Sequence, residues 1–253
     1  MCGRYATMGR RDIQLEFRLD VVADSYAPSP SWNVAPTQDV PIIVERRPLP
    51  GDEWLDDAVT QPASTPPAAP GSPGEESAPG VVRALTPALW GLIAPWAKDA
   101  TRPMINARME TLAEKRMFAP ALRKRRCIFP AAGYFEWRKP DRTPFYIYRD
   151  NAPLALAGLY GWFKDGEDWL LTATIVTRAA RGELAQIHDR TPLILNPDEY
   201  DMWLDPTLQD PTLLEALSRP GPRLSFHEVG RAVGNVSNNS PDNIAAVSGT
   251  PQV

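Results

Sequence analysis

The sequence predicts an α+β fold, a single domain built on a mixed, barrel-like β-sheet flanked by short helices. Three observations predict it. Runs rich in aromatic and β-branched residues, separated by turn residues, fill the second half of the chain as strands do. Helical patterns are few and short, and no regular strand-helix alternation links them, which argues against a doubly wound parallel sheet. The piece before the Pro-rich break at Arg46 is about 45 residues with one helix and one strand, too little for a core of its own, so it folds together with the rest of the chain.

In chain order, Arg11 to Leu19 reads as a short helix with Ile13, Phe17 and Leu15 facing inward, and Val40 to Val44 as a buried strand. From Arg46 to Gly80 the chain is rich in Pro, Gly, Ser, Ala and acid, with Pro62, Pro66, Pro67, Pro70, Pro73 and Pro79 and no apolar period. Such a segment buries too little to offset its ordering entropy. It is expected to be a disordered insertion at about 46–80 within one domain of residues 1–253, tolerated because loop-closure entropy grows slowly with length. Ala88 to Trp96 reads as a strand entering a turn at Pro95, and Met109 to Met117 as a helix. Cys127 to Trp137, Thr143 to Tyr148, Leu154 to Tyr160 and Trp169 to Thr177 read as strands. Glu183 to Ile187, Pro197 to Leu204 and Pro211 to Ser218 read as short helices, the second with Asn196 as cap and Pro197 at its first position.

At 253 residues and 43% hydrophobic content, the chain can bury a sizeable core, and no apolar run reaches the ~18 residues of a membrane span. The start, Met1-Cys2-Gly3-Arg4-Tyr5-Ala6, lacks the apolar core of a secretory signal, so a cytoplasmic protein is expected. Two cysteines, Cys2 and Cys127, make no disulfide framework. With His188 and His227 they supply the right atoms for zinc, yet no two lie at ligand-pair spacing. A monomer without metal or cofactor is expected.

The net charge of −4 conceals an asymmetry. Lys98 to Arg149 holds 13 Lys or Arg against 5 Asp or Glu, a local charge of +8, while the rest of the chain carries −12. Arg102, Arg108, Lys115, Arg116 and the run Arg123, Lys124, Arg125, Arg126 are interleaved with Trp96, Phe118, Phe129, Tyr134, Phe135 and Trp137. Cations for phosphates and aromatic faces for unstacked bases are the two components of a single-strand groove, although a charge run also serves as a plain solvated helix face.

Cys2 stands directly behind Met1. Removal of Met1 would leave a 1,2-aminothiol, with an amine of reference pKa ~7.7–8.0 and a thiol near ~8.5 on one residue. Such a group traps an aldehyde, since the amine condenses and the thiol then closes a five-membered thiazolidine.

Several further segments stand out: Trp32-Asn33-Val34-Ala35-Pro36-Thr37, Trp90-Gly91-Leu92-Ile93-Ala94-Pro95-Trp96, Asn106-Ala107-Arg108-Met109-Glu110-Thr111, Gly133-Tyr134-Phe135-Glu136-Trp137 and Ile187-His188-Asp189-Arg190-Thr191-Pro192. With Cys2-Gly3-Arg4-Tyr5 at the start and Val229-Gly230-Arg231-Ala232-Val233-Gly234-Asn235-Val236 near the end, this ordered set closely resembles the SOS response-associated peptidase family, also called abasic-site processing proteins. The resemblance covers nearly the whole chain except Arg46 to Gly80.

The resemblance implies a protein that shields abasic sites in single-stranded DNA, its partner, by a covalent thiazolidine crosslink through Cys2. It implies catalytic roles for Asn106 beside the sugar, Glu136 as proton shuttle and His188 as a group protonating the sugar ring oxygen or steadying the aldehyde. It places Arg4, Arg108, Arg116 and Arg190 on backbone phosphates, Pro36 and Trp96 against the flanking bases, and Asn33 and Thr177 in the DNA-binding surface. His227 matches no catalytic position and is expected to be structural. Each residue also has an ordinary use: Asn106 as a turn residue, Glu136 as a buried carboxylate held by amides or an Arg, the arginines as ion-pair partners. Two other classes stay open. Cys2, His188 and Glu136 could form the nucleophile, base and orienter of a peptidase, and the basic stretch alone would suffice for a non-covalent single-strand binder. The chain departs from the family pattern at Thr191, where Met is common before the proline, and at Ala94.

Overall fold

The aromatic and β-branched runs form strands, and the longest of them close into a ring. The computed structural model describes residues 2–24, 26–55, 80–139 and 141–247. Its strands are β1 (Arg4–Thr7), β2 (Val21–Ala23), β3 (Ser31–Val34), β4 (Asp39–Arg46), β5 (Asp52–Trp54), β6 (Val82–Trp90), β7 (Asn106–Arg108), β8 (Arg126–Ala131), β9 (Gly133–Trp137), β10 (Pro144–Tyr148), β11 (Leu154–Asp165), β12 (Asp168–Ala179), β13 (Arg190–Pro192), β14 (Ile194–Leu195) and β15 (Ser225–Glu228). Short helices α1 (Arg10–Phe17), α2 (Ala119–Lys124), α3 (Leu184–Ile187), α4 (Tyr200–Leu204) and α5 (Leu213–Ala216) flank them.

One sheet runs β13-β12-β11-β8-β4-β6-β2-β5, with β14 on β11 and β7 on β12. Because β6 also pairs with β12 in parallel, through Thr172 with Leu89 and Ala173 with Trp90, the path β12-β11-β8-β4-β6 closes on itself. The second sheet, β15-β10-β9-β1-β3, is antiparallel throughout. The architecture is the mixed, barrel-like α+β fold expected.

Side chains alternate across each strand, and the barrel strands use both faces. Ile43, Leu85, Ile128, Leu159 and Val176 form one apolar cluster with Ile13, Phe17, Leu122 and Trp203 of the helices. Ile42, Trp90, Phe129 and Ile175 form another with Tyr5, Val34, Tyr134 and Ile147 of the second sheet, and Cys2 lies in it. Each large side chain so buried contributes about 1.5–3 kcal/mol, which fixes the second sheet against the barrel and Cys2 at their junction.

Several local expectations are corrected. Leu15 is 53% exposed, because on an α-helix it lies two residues from both Ile13 and Phe17, which share the inward face at i and i+4. Cys127 to Trp137 is two strands: the chain leaves the barrel at Ala132, whose N–H donates to the Ala6 carbonyl, and β9 joins the second sheet. Met109 to Met117 forms only a 3-10 turn at Met109–Thr111 followed by loose turns, and α2 begins after Phe118. A helix of that length is marginal by itself, and tertiary contacts decide. The strand expected at Ala88 begins at Val82 and ends at Trp90, before a turn at Gly91. There φ is +145° and a Cβ would fall 2.5 Å from Pro103, so glycine is required.

The segment expected to be unstructured from Arg46 begins inside β4 and contributes β5, which pairs with β2. Arg46 grips Asp52 with two hydrogen bonds of 2.8 and 2.6 Å; residues 56–79 lie outside the described residues. Arg126, counted in the basic run, is buried, and its guanidinium donates to the carbonyls of Leu122, Arg123, Trp203 and Asp205. It is a core clamp and contributes no surface charge.

Candidate active site

Cys2 immediately precedes β1 and is fully buried. Its thiol faces the Arg4 carbonyl at 3.9 Å. Burial, and then the Glu136 charge, push the thiol pKa far above its ordinary value, so sulfur rests as S–H. Asn106 opens β7, whose parallel pairing with β12 sets Asn106 against Ile175. From there Asn106 Nδ2 donates to the Cys2 carbonyl at 2.8 Å. Asn106 Oδ1 is buried and accepts no hydrogen bond from the described residues.

Glu136 is carried by β9, between β1 and β10, opposite Phe145. It is buried, and its Oε1 lies 3.9 Å from His188 Nε2. His188 ends the single turn of α3, its N–H bonded to the Leu184 carbonyl. His188 Nδ1 accepts from the Arg190 backbone N–H at 3.0 Å, with Asp189 Oδ1 at 2.9 Å from the same nitrogen. The ring thus turns its other nitrogen, Nε2, toward Glu136. Desolvation lowers the His188 pKa, against the opposing pull of Glu136, so the ring favours the neutral form. Cys2, Asn106, Glu136 and His188, distant in sequence, thus converge on one point of the junction.

The expected DNA-contacting residues divide into two groups. Arg108 and Arg116 are exposed; Arg116 stacks over Trp96 at 4.4 Å, and Trp96 is itself 51% exposed. Pro36 lies in the turn after β3, where the Thr37 N–H donates to the Trp90 carbonyl, so this turn and the Trp96 loop leave the same end of the barrel. The second group is engaged within the protein. Arg4 donates to Asn33 Oδ1 at 2.7 Å and to the carbonyls of Val233 and Gly234. Asn33, buried, donates to the carbonyls of Val233, Asn235 and Asn238, so the pair ties the C-terminal turns to β1 and β3. Arg190 grips Glu110 through two bonds of 2.7 and 2.9 Å and donates to the carbonyl and hydroxyl of buried Thr177. His227 packs on Tyr146 and Tyr148 and bonds the Ile244 carbonyl through Nε2, away from the four converging residues.

Two participants escaped sequence reasoning. Glu110 holds Arg190 and also accepts from the Ala179 N–H; its place in the Asn106 to Thr111 segment was the available signal. Tyr134 sits across from Tyr5 and bonds Thr191 Oγ1 at 2.9 Å, and burial, with the nearby Glu136 charge, raises its phenol pKa. Nothing local marks it apart from other core aromatics.

The chain as a whole has relatives among known proteins. The chain is 33% identical over 252 residues to abasic site processing protein YoqW of Bacillus subtilis (strain 168), covering 96% of this chain and 98% of that one. It is 33% identical over 257 residues to abasic site processing protein YedK of Escherichia coli (strain K12), covering 98% and 100%. The crystal structure of a protein from Bordetella bronchiseptica has the same fold, with a TM-score of 0.67 at 21% identity over 90% of this chain and 100% of that one. The sequence model of the family described as SOS response associated peptidase (SRAP) matches residues 1–236. With a match over most of the chain and relatives a third identical along their length, the chain belongs to the SOS response associated peptidase family.

Proposed function

We propose that this protein captures abasic sites in single-stranded DNA as a covalent adduct on Cys2 once Met1 has been removed. The α-amine of Cys2 attacks the aldehyde of the ring-opened deoxyribose, and water leaves as the imine forms. The thiol sulfur then adds to the imine carbon, its proton ends on nitrogen, and a thiazolidine closes. One water is lost overall, and no oxidant or cofactor enters the balance.

The convergence of Asn106, Glu136 and His188 on Cys2 carries this reading. Asn106 Nδ2 on the Cys2 carbonyl fixes the nucleophile, and its Oδ1 offers an acceptor to a sugar hydroxyl. A thiol whose pKa is raised by burial needs a base as it adds, and the Glu136 carboxylate is the nearby charge it feels. His188 Nε2–H is the donor to the departing sugar oxygen. Exposed Arg108 and Arg116 attract the backbone phosphates and Trp96 stacks on a base. Arg190 exchanges Glu110 for a phosphate as the strand seats.

The test is a denaturing gel of Met1-free protein with labelled single-stranded DNA holding one abasic site. A shifted band that survives heat and detergent, present with the abasic strand and absent with the intact strand and with Cys2→Ala, is expected. Equal binding of both strands without such a band would contradict the covalent reading.

A further inference from the structure

Beyond the four converging residues, the loop that carries His188 has a second face. β12 and β13 pair Ala179 with Arg190 and Arg178 with Thr191. Just past this pairing lies a cavity of about 210 Å³ with Arg178, Arg181 and Glu183 at its rim and an apolar lining that includes Pro192, Leu224 and Phe226. That volume is below the few hundred Å³ typical of drug-sized ligand sites and suits one nucleobase.

Its charge is unusual. Arg178 is half-buried and makes no ion pair among the described residues, although it feels the Glu199 charge; one of its Nη atoms donates to the carbonyls of Leu217 and Arg219. Arg181 is exposed and makes no hydrogen bond or ion pair among the described residues. Burial lowers the Arg178 pKa, and the adjacent Arg181 charge lowers it further against the opposing pull of Glu199, so the two guanidinium groups lining the cavity repel. An anion between them relieves that repulsion.

The cavity shares structural elements with the candidate site. Thr191, in its wall, bonds Tyr134, and Glu183 and Leu184 at its edge belong to the turn that His188 terminates. Arg190 pairs in register with Ala179, which lines the cavity.

We propose that this cavity holds one flanking nucleotide of the bound single strand, with its phosphate on Arg178 and Arg181 and its base on Pro192, Leu224 and Phe226. The inference rests on the single-strand reading above and adds a subsite to it. Occupancy presses on the turn carrying His188, so strand length beyond the lesion bears on how firmly His188 is held.

The test uses the full chain and fluorescence anisotropy with single strands carrying a tetrahydrofuran abasic analogue, which has no aldehyde and cannot crosslink. One strand has long flanks on both sides; the others are shortened stepwise from either end. Arg181→Ala and the cavity-filling Leu224→Trp are expected to weaken the long strand roughly fivefold and to match wild type once the flank no longer reaches the cavity. For Arg181→Ala the slope of log affinity against log salt should shrink by about 0.7, the value for one phosphate of a single strand. An equal loss at all lengths, or no loss at any length, overturns the subsite; the latter would leave the cavity to another anion class such as an acidic peptide. Crosslinking to an aldehyde-bearing strand is followed in parallel. Failure of wild type to crosslink defeats the covalent reading while anisotropy still reports the subsite. Crosslinking with a silent Arg181→Ala defeats the subsite alone.

Discussion

Asn106 Nδ2 donates to the Cys2 carbonyl over 2.8 Å, a bond that spans 104 positions of sequence and holds the residue proposed as the nucleophile. In Asn106→Ala the bond is lost. A stability cost of about 1 kcal/mol is expected by denaturant unfolding, together with a crosslinking rate lower by roughly a hundredfold, because a nucleophile displaced by an ångström loses its attack geometry. An unchanged rate would remove Asn106 from the mechanism.

Glu136 raises the Cys2 thiol pKa by its charge, on top of burial. In Glu136→Gln the thiol should therefore titrate lower than in wild type, seen as ultraviolet thiolate absorbance in a Cys127→Ala background. Crosslinking should nonetheless slow by roughly a hundredfold through loss of the base. A more acidic thiol with slower chemistry separates the base from a purely electrostatic neighbour.

His188 has a folded pKa below its ordinary 6.5, chiefly through desolvation. On acidification through that value the unfolded chain takes up the proton first, so stability falls as pH drops and levels off below the folded pKa. His188→Gln removes this contribution. Urea midpoints at neutral and mildly acidic pH should differ less in the variant than in wild type.

Much of this arrangement was legible in the sequence, and the exceptions share a cause. Cys2 behind Met1, the continuous apolar run of β4 and the aromatic strands β9 and β10 are local patterns, and the structure contains them. Arg126 looked like its basic neighbours because its burial comes from carbonyls of Trp203 and Asp205 nearly eighty residues away. The Glu110 grip on Arg190 and the Arg4 bond to Val233 are equally long-range. Leu15 and the divided strand at Ala132 depended on which sheet or helix face the chain would meet, and single-residue propensity does not encode that.

Arg126→Met should leave DNA binding unchanged and lower stability by about 3 kcal/mol, because a buried guanidinium that satisfies four carbonyls is lost and each of those carbonyls loses a donor. A reduced melting temperature with unaltered anisotropy on single strands is the expected pair of results. Weakened binding at full stability would restore Arg126 to the surface charge.

Arg190→Lys cannot reproduce the two-pronged contact with Glu110 while also reaching the Thr177 carbonyl. Affinity for single strands should fall several-fold even though the charge is kept, and Arg190→Ala should fall no more than a few-fold further. Full retention of affinity in the lysine variant would assign Arg190 to a point-charge role.

Intact mass spectrometry of the protein after incubation with an abasic single strand is the decisive measurement for ring closure on Cys2. The thiazolidine mechanism predicts one adduct whose mass is that of the Met1-free chain plus the strand less one water, formed without reductant and absent from both Cys2→Ala and Cys2→Ser. An adduct on a chain that retains Met1, or one that persists in Cys2→Ser without borohydride, would contradict ring closure by the aminothiol.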